Sequence, residues 1–435
     1  MKIRRLFLNT LSRQLFLAGK LIDSREYIWP LLRSKYFVVP FKFPFIHLQN
    51  KDNSEPTRGQ LLFQKVNLHI LRKPRLFLKV FRETLRVCLT YRCNLSCETC
   101  YAKGLQDDMP EDMRLDDFIK LTEWAVPKGW EYFRFLGGEP TVHSGFKDIL
   151  DICYDKKIKI TMPTNNLFSK QILSKLDNRL VCDISINYNA SLMLDKEKKH
   201  IFIDNLAEIK QRNLPFGFSF VLSYEDKKDT YMAFIDIIKR FKPSYVRVSL
   251  ELPTAPENSQ VLRISKDIGT SMFNRINRIF MMCAENYISF FIYRPFPLCL
   301  FSKKQQKILK NYSKYIFFTR CPLSFPSKNG FFSMVTVNPD LSIFPCASSF
   351  IRGDNILSFK SRQSIEIFYK TGLHDLLAQP LSESCLHCDY HKRFVEHIRN
   401  DSLIKKAIFN DPGICQGGCM NFRCHDQSNF KCSLE

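Results

Sequence analysis

The stretch RETLRVCLTYRCNLSCETCY, residues 82–101, decides the fold. Its first half alternates, with Leu85, Val87 and Leu89 on one side, and reads as a β-strand with one apolar face. The strand runs into a loop that carries three cysteines in eight residues, Cys93, Cys97 and Cys100. A disulfide uses two thiols, and a structural zinc site usually draws on two CxxC pairs. Three thiolates on one loop suit a metal site that keeps one coordination position open.

Outward from this loop the pattern repeats. RLDDFIKLTEWAVPKG has helical apolar spacing, with Asp116 and Asp117 in the first turn. YFRFLGGEP then reads as a strand ending in a Gly-Gly turn, GFKDILDICYDKK as a helix, and KIKITMPTNN as a strand with a polar stop. The alternation continues through SYVRVSLELP and gives about six strand–helix units, fewer than the eight of a closed barrel. The polar motifs fall at the C-terminal ends of strands, where α/β architectures build their sites. Residues 257–320 carry a helix, SKDIGTSMFNRINRIFMMCAENY, and FFSMVTVNPDLSIFPCAS reads as a hairpin turning at Asn338-Pro339-Asp340. Four segments follow: 1–80, an N-terminal extension to which no fold is assigned; 81–256, the strand–helix core; 257–320, a bridging helical segment; and 321–435, a cysteine-rich region.

The chain's 435 residues allow two to three domains. Its 45% hydrophobic and 25% charged content is that of a folded globular chain. No apolar run reaches the length of a transmembrane helix, and the basic start MKIRRLFLNTLSRQLFLAGKLID is broken by Asn9, Ser12, Arg13 and Gln14. It suits an amphipathic helix better than a signal peptide. The formal net charge of +22 fits a nucleic acid, an anionic membrane or an acidic substrate, but the basic residues form no block of five. Of sixteen cysteines, five are scattered and eleven fall in clusters with ligand-like spacing, which argues for metal in a reducing, cytoplasmic compartment and against disulfides.

Cys93-x3-Cys97-x2-Cys100 resembles the motif of the radical S-adenosylmethionine (SAM) superfamily, and the resemblance runs from about Arg82 to Pro253. It implies a partial (β/α)6 TIM-like barrel and a [4Fe–4S] cluster held by three thiolates. It further implies that SAM chelates the fourth iron and is cleaved to a 5′-deoxyadenosyl radical that abstracts a substrate hydrogen. LGGEP, 36 residues after Cys100, strengthens the match. Gly137 and Gly138 let backbone approach a ligand, and Glu139 suits the SAM ammonium group, the role that segment has in the family. Thr164-Asn165-Asn166 resembles the family's TNG segment, with Asn166 in the glycine position, where asparagine tolerates a left-handed backbone. Ser185-Ile186-Asn187 resembles its SxD segment, with Asn187 replacing the acid. An aromatic residue that packs on adenine often precedes the third cysteine in that family. This chain has Thr99 there and Tyr101 on the far side of Cys100, so Tyr101 is the aromatic candidate beside the cofactor.

Eight further cysteines, Cys321, Cys346, Cys385, Cys388, Cys415, Cys419, Cys424 and Cys432, make up two four-thiolate sites. Their arrangement resembles the SPASM extension, which carries one or two auxiliary [4Fe–4S] clusters. By that analogy Cys321, Cys346 and Cys419 hold an inner cluster, with Cys424 a candidate fourth ligand, and Cys385, Cys388, Cys415 and Cys432 hold an outer one. His387, His391 and His425 are alternative ligands, and a zinc ribbon is the competing reading. Two departures bear on this assignment: Leu341 stands where the hairpin usually has glycine, and 26 residues separate Cys388 from Cys415 where about five are usual.

The resemblance implies an enzyme that oxidises or crosslinks a peptide or protein substrate, with auxiliary clusters accepting an electron. An electron donor such as flavodoxin or ferredoxin is then a partner. The alternative is a dehydrogenase-like enzyme acting on a small molecule, and a non-enzymatic metal-binding protein is a third reading. A nucleic-acid partner is not expected, because basic and aromatic positions are not interleaved. Tyr101, Tyr188 and Arg247 lie near strand ends, but plain packing or solvation is the favoured reading of each, so no catalytic base is assigned.

Overall fold

Six parallel strands follow one another in chain order: β1 (Thr84–Thr90), β2 (Tyr132–Gly137), β3 (Lys159–Thr164), β4 (Val181–Asn187), β5 (Phe216–Leu222) and β6 (Tyr245–Leu250). The structure is a computed structural model. It describes residues 84–97, 100, 102–109, 111–223, 228–251, 266–293, 298–312, 317–318, 335–344, 353–365, 367–369 and 386–399. All of them lie in the unit Leu62–Glu435. The extension 1–80 lies outside the described residues, as do Tyr101, Cys321, Cys346, Cys385, Cys415, Cys419, Cys424, Cys432 and His425.

The six expected units are present, and the alternation then runs further. Strands β7 (Ser289–Ile292) and β8 (Phe317–Phe318) extend the sheet beyond β6, so the segment read as helical also supplies sheet. Four and two residues are too few for a period of two to declare itself in the sequence. At the other edge β9 (Thr336–Val337) pairs parallel to β1, and β10 (Ile343–Phe344) folds back antiparallel on β9. The order is β10-β9-β1-β2-β3-β4-β5-β6-β7-β8.

The helices that connect the first strands are α1 (Lys103–Asp108), α2 (Leu115–Ala125), α3 (Phe146–Asp155), α4 (Lys170–Lys175) and α5 (Lys196–Gln211). After them come α6 (Lys228–Phe241), α7 (Lys266–Glu285), α8 (Lys303–Tyr312) and α9 (Asp389–Arg399). Helix α2 shows why the sequence folds this way. Phe118, Leu121, Thr122 and Ala125 recur on one stripe and are buried, while Asp116 and Asp117 sit at the positive end of the helix dipole. Pro127 then opens a 3₁₀ turn, and Gly129 closes it at φ +79°.

Each strand has two unlike faces. Leu85, Val87 and Leu89 of β1, Phe133 and Phe135 of β2, and Phe218 and Phe220 of β5 join one large apolar core with the helices. Phe220 and Phe234 of α6 lie 4.5 Å apart at their ring centres, and Tyr188 packs edge-on against Phe220 and tilted against Phe234. Tyr188 is thus a packing residue, the plainer of its two sequence readings. The alternate positions form an inner face that is polar: Arg86, Thr90, Arg134, Thr161, Asp183, Ser185, Ser219, Tyr245 and Arg247.

The hairpin turns where the sequence placed it. Leu341 adopts φ +66°, the conformation for which glycine is usual, while its side chain is buried at 4% exposure. A left-handed backbone costs leucine about 1–2 kcal/mol. Burial of the side chain gains about 1.5–3 kcal/mol, and glycine adds a chain-entropy cost of about 0.5–1 kcal/mol. Burial wins. Leu341→Gly should therefore lower stability by about 1 kcal/mol in urea unfolding, although it removes the strain.

Candidate active site

The site forms where the ends of β1, β2 and β3 meet. Gly137 adopts φ +108°, and a Cβ there would lie 2.1 Å from the Thr90 carbonyl oxygen. At Gly138 a Cβ would lie 2.0 Å from the Arg92 carbonyl oxygen and 2.6 Å from that of Tyr91. No side chain fits either position. The glycines let the β2 terminus press against the backbone that enters the cysteine loop: Gly138 N–H donates to Thr90 O at 2.9 Å, and Glu139 N–H to Arg92 O at 3.0 Å. The close approach expected of this pair is made to the protein's own loop.

That loop is braced on its other sides as well. Arg92 Nε donates to Asp112 Oδ1 at 2.9 Å, and Met113 N–H donates to Leu89 O at 2.8 Å. Buried His143 bonds Met113 O through Nε2 at 2.8 Å and accepts from Gly145 N–H through Nδ1. Beneath the loop, Cys88, Tyr91, Ala102, Leu105, Met109 and Phe344 form a small separate apolar cluster against which Cys100 packs. Phe344 belongs to β10, and Tyr91 Oη donates to Asn338 Oδ1 at 2.7 Å, so the hairpin is tied to the cysteine loop.

Glu139 is 2% exposed and fully engaged. One carboxylate oxygen accepts from Thr141 Oγ1 at 2.7 Å and Thr164 Oγ1 at 2.9 Å; the other accepts from Asn165 N–H at 2.7 Å. Burial raises its pKa, and these donors oppose the rise. Asn165 closes the constellation. Its side-chain Nδ2 donates to Asn94 Oδ1 at 2.6 Å and reaches Cys93 Sγ at 3.9 Å. One residue thereby joins the carboxylate of the GGEP segment to the first cysteine of the loop.

Asn166 takes φ +65°, the left-handed conformation expected of it. Its Nδ2 donates to Phe202 O at 2.8 Å, while Asn205 Nδ2 donates to Asn166 O and Phe168 O. Asn205 interrupts the apolar stripe of α5, and that break is the signal by which sequence could have found this brace. Ser185 is buried on the inner face one strand over, in register with Pro163. Asn187 accepts from Asn189 N–H and caps the helical turn Tyr188–Ser191.

Cys93, Cys97 and Cys100 are unpaired by disulfide and half-buried. Desolvation raises the thiol pKa of Cys93, and that of Cys97 to about 11, with the neighbouring cysteines adding repulsion. Iron ligation displaces such protons. Three thiols on a braced loop whose charged forms would repel one another, beside a carboxylate and a close-packed Gly-Gly turn, fit a cluster that protein ligates at three corners. Among the described residues no group of three or more His, Cys, Asp or Glu is gathered in the geometry of a single metal ion. Cys88, Cys153 and Cys283 are packing residues: all are buried, with pKa values raised by desolvation. In the second cysteine set, Cys388 is half-buried immediately before α9, where its carbonyl accepts from His391 and Lys392 N–H.

Below this constellation the inner face carries a polar group that sequence reasoning missed, apart from Arg247. Tyr245 Oη donates to Asp183 Oδ2 at 2.8 Å, and its ring lies where a Cβ on Gly217 would stand, 2.3 Å away. Arg134 Nη1 donates to Thr161 Oγ1 at 3.3 Å. Arg247 donates to Ser219 Oγ through Nε and Nη2, and its guanidinium lies 4.4 Å from the Tyr293 ring centre. Charged residues at alternate positions of buried strands were the available signal.

Residues 87–260 match the family model of the radical SAM superfamily. Among curated relatives, a GTP 3′,8-cyclase of Helicobacter pylori is 25% identical over 119 residues, covering 26% of this chain and 37% of that protein. The chain thus spans well under half the length of that relative. Streptococcus suis SuiB has a similar fold, with a TM-score of 0.50 at 14% identity, over 84% of this chain and 83% of that one. SuiB bound to its precursor peptide SuiA aligns with a TM-score of 0.49 at 14% identity, over 94% of this chain and 88% of the other. Among the described residues no helix is long and apolar enough to cross a membrane.

Proposed function

We propose that this chain is a radical SAM enzyme that modifies a peptide or protein, with residues 321–435 forming a SPASM-like domain that carries auxiliary clusters. One observation carries the enzymatic reading: Asn165 bonds Glu139 through its N–H and reaches Cys93 through its side chain. Cys93, Cys97 and Cys100 would hold a [4Fe–4S] cluster, and Glu139, Asn165 and Ser185 would meet SAM. Bound there, the pair supplies a 5′-deoxyadenosyl radical for hydrogen abstraction. The residues themselves orient and shield. Glu139 presents a carboxylate whose geometry is fixed by three residues, and the Gly-Gly turn fixes the loop to β2.

The peptide reading rests on the eight C-terminal cysteines, on the hairpin that leads towards Cys346 and packs under the loop, and on a net charge of +22 that suits an acidic leader segment. Flavodoxin or ferredoxin would supply electrons. A small-molecule substrate is the second reading, favoured by the named activity of the curated relative over its matched segment.

Anaerobic reconstitution should load about twelve irons per chain if both auxiliary sites fill, and about four if only the loop cluster forms. Cys388→Ala should lower a full load by up to about four irons and leave the loop cluster. Zinc in place of iron there would end the auxiliary-cluster reading. With SAM and dithionite the loaded protein should release 5′-deoxyadenosine, and its absence would reject the enzymatic reading. Mass spectrometry of a candidate peptide after turnover decides between the substrate classes.

A further inference from the structure

We propose that Asn205, in the middle of α5, is a positioning residue for the SAM site: with Asn166 it clamps the turn after β3 that presents Asn165 to Glu139 and Cys93. The inference rests on the SAM-binding reading of that constellation. It adds a residue whose own hydrogen bonds end elsewhere, on Asn166 and Phe168.

The clamp has two halves, both drawn from one face of α5. Asn205 Nδ2 donates to Asn166 O at 3.0 Å and to Phe168 O at 2.9 Å. Both acceptors are carbonyls, so only the amide nitrogen can serve them. In the other direction Asn166 Nδ2 donates to Phe202 O at 2.8 Å, one helical turn before Asn205. A glycine at position 166 would keep the φ of +65° but lose that bond. The turn is therefore tied to the helix at both its backbone and its side chain.

From the clamped residue the bonds lead straight to the carboxylate. Asn166 N–H donates to Thr164 Oγ1 at 3.0 Å, and the same hydroxyl donates to Glu139 at 2.9 Å. One residue along, Asn165 N–H donates to the second carboxylate oxygen, and its Nδ2 faces Asn94 and Cys93. A rotation at Asn166 thus moves the donors to both oxygens of Glu139 together. Misplacement by about 1 Å at a site that must hold a reactant in one geometry costs about a hundredfold.

The pair is poorly suited to a purely packing role. Both residues are fully buried, and the Oδ1 of each has no donor among the described residues. Asn205 sits in a stripe with Phe202, Leu206 and Ile209, where an unsatisfied amide oxygen is costly. Stability alone favours a turn that leaves no acceptor bare. Here two are left bare, and both amide hydrogens of Asn205 go to the one turn that meets Glu139.

The test is the SAM affinity of the full-length, cluster-loaded chain, measured by equilibrium dialysis without reductant, with iron content and circular dichroism alongside. Asn205→Ala removes both bonds to the turn; Asn166→Gly keeps the left-handed backbone and removes the bond to Phe202. Both should load as much iron as wild type. SAM affinity should weaken about tenfold or more in Asn205→Ala and severalfold in Asn166→Gly. In 5′-deoxyadenosine release, KM for SAM should rise by more than kcat falls. Trp124→Phe, which removes a bond from α2 to the Phe359 carbonyl, should keep wild-type affinity and so separates positioning from a general loss of stability. Should Asn205→Ala misfold, Asn166→Gly carries the comparison. An equal loss in Trp124→Phe overturns the proposal. Wild-type affinity in the folded Asn205 and Asn166 variants sinks the positioning role alone, whereas a wild-type chain that binds no SAM sinks the enzymatic reading and the positioning role with it.

Discussion

Gly138→Ala should yield a protein that no longer loads the loop cluster. The added methyl carbon would sit 2.0 Å from one carbonyl oxygen and 2.6 Å from another, both backbone atoms that no rotamer change can move. Relief requires the β2 terminus and the cysteine loop to part, which breaks the bonds from Gly138 N–H to Thr90 O and from Glu139 N–H to Arg92 O. Two lost bonds and the displaced packing together cost about 3–5 kcal/mol. The expected readings are a lower melting temperature, about four fewer irons per chain, and 5′-deoxyadenosine release reduced by at least about a hundredfold. Iron content and release equal to wild type would mean that the loop does not depend on this contact.

Glu139→Ala should be nearly as damaging, for a different reason. Removing the carboxylate strands the buried Thr164 hydroxyl and Asn165 N–H and the half-buried Thr141 hydroxyl, donors that lose a charged acceptor. Each such loss costs about 1–3 kcal/mol. Glutamine is no rescue. Its amide oxygen can accept from Asn165 N–H while its nitrogen faces the Thr141 and Thr164 hydroxyls, which can turn to accept, but the carboxylate charge is gone. Glu139→Gln should keep the fold and the iron but weaken SAM binding by about tenfold or more, through loss of the charge that suits its ammonium group. Equal SAM affinity in Glu139→Gln, measured by equilibrium dialysis, would remove Glu139 from the SAM site.

What could be read in advance follows from how local each signal is. The three cysteines lie within eight residues, GGEP is contiguous, and α2 declares its stripe in a single window. Such features need no knowledge of the fold. Asn166 was also legible, because the left-handed preference of asparagine belongs to the residue itself. The function of the glycine pair was not, since the atoms they admit belong to Thr90 and Arg92, some 46 residues earlier at the end of β1 and in the loop after it. Leu341 shows the limit more sharply. Its identity argues against a positive φ, and only the burial of its side chain explains why the turn survives. Arg134, Asp183 and Tyr245 come from three strands, and no window of sequence displays them together.

Because β9 lies against β1 and Tyr91 reaches Asn338 across 247 positions, the sheet cannot be completed as the chain leaves the ribosome. Until that distant segment emerges, one side of the first strand presents unsatisfied peptide groups, a template for pairing with the wrong chain. Early termination just short of residue 335 should therefore yield insoluble material, and the hairpin acts during synthesis as a late protective strand for the edge it finally covers.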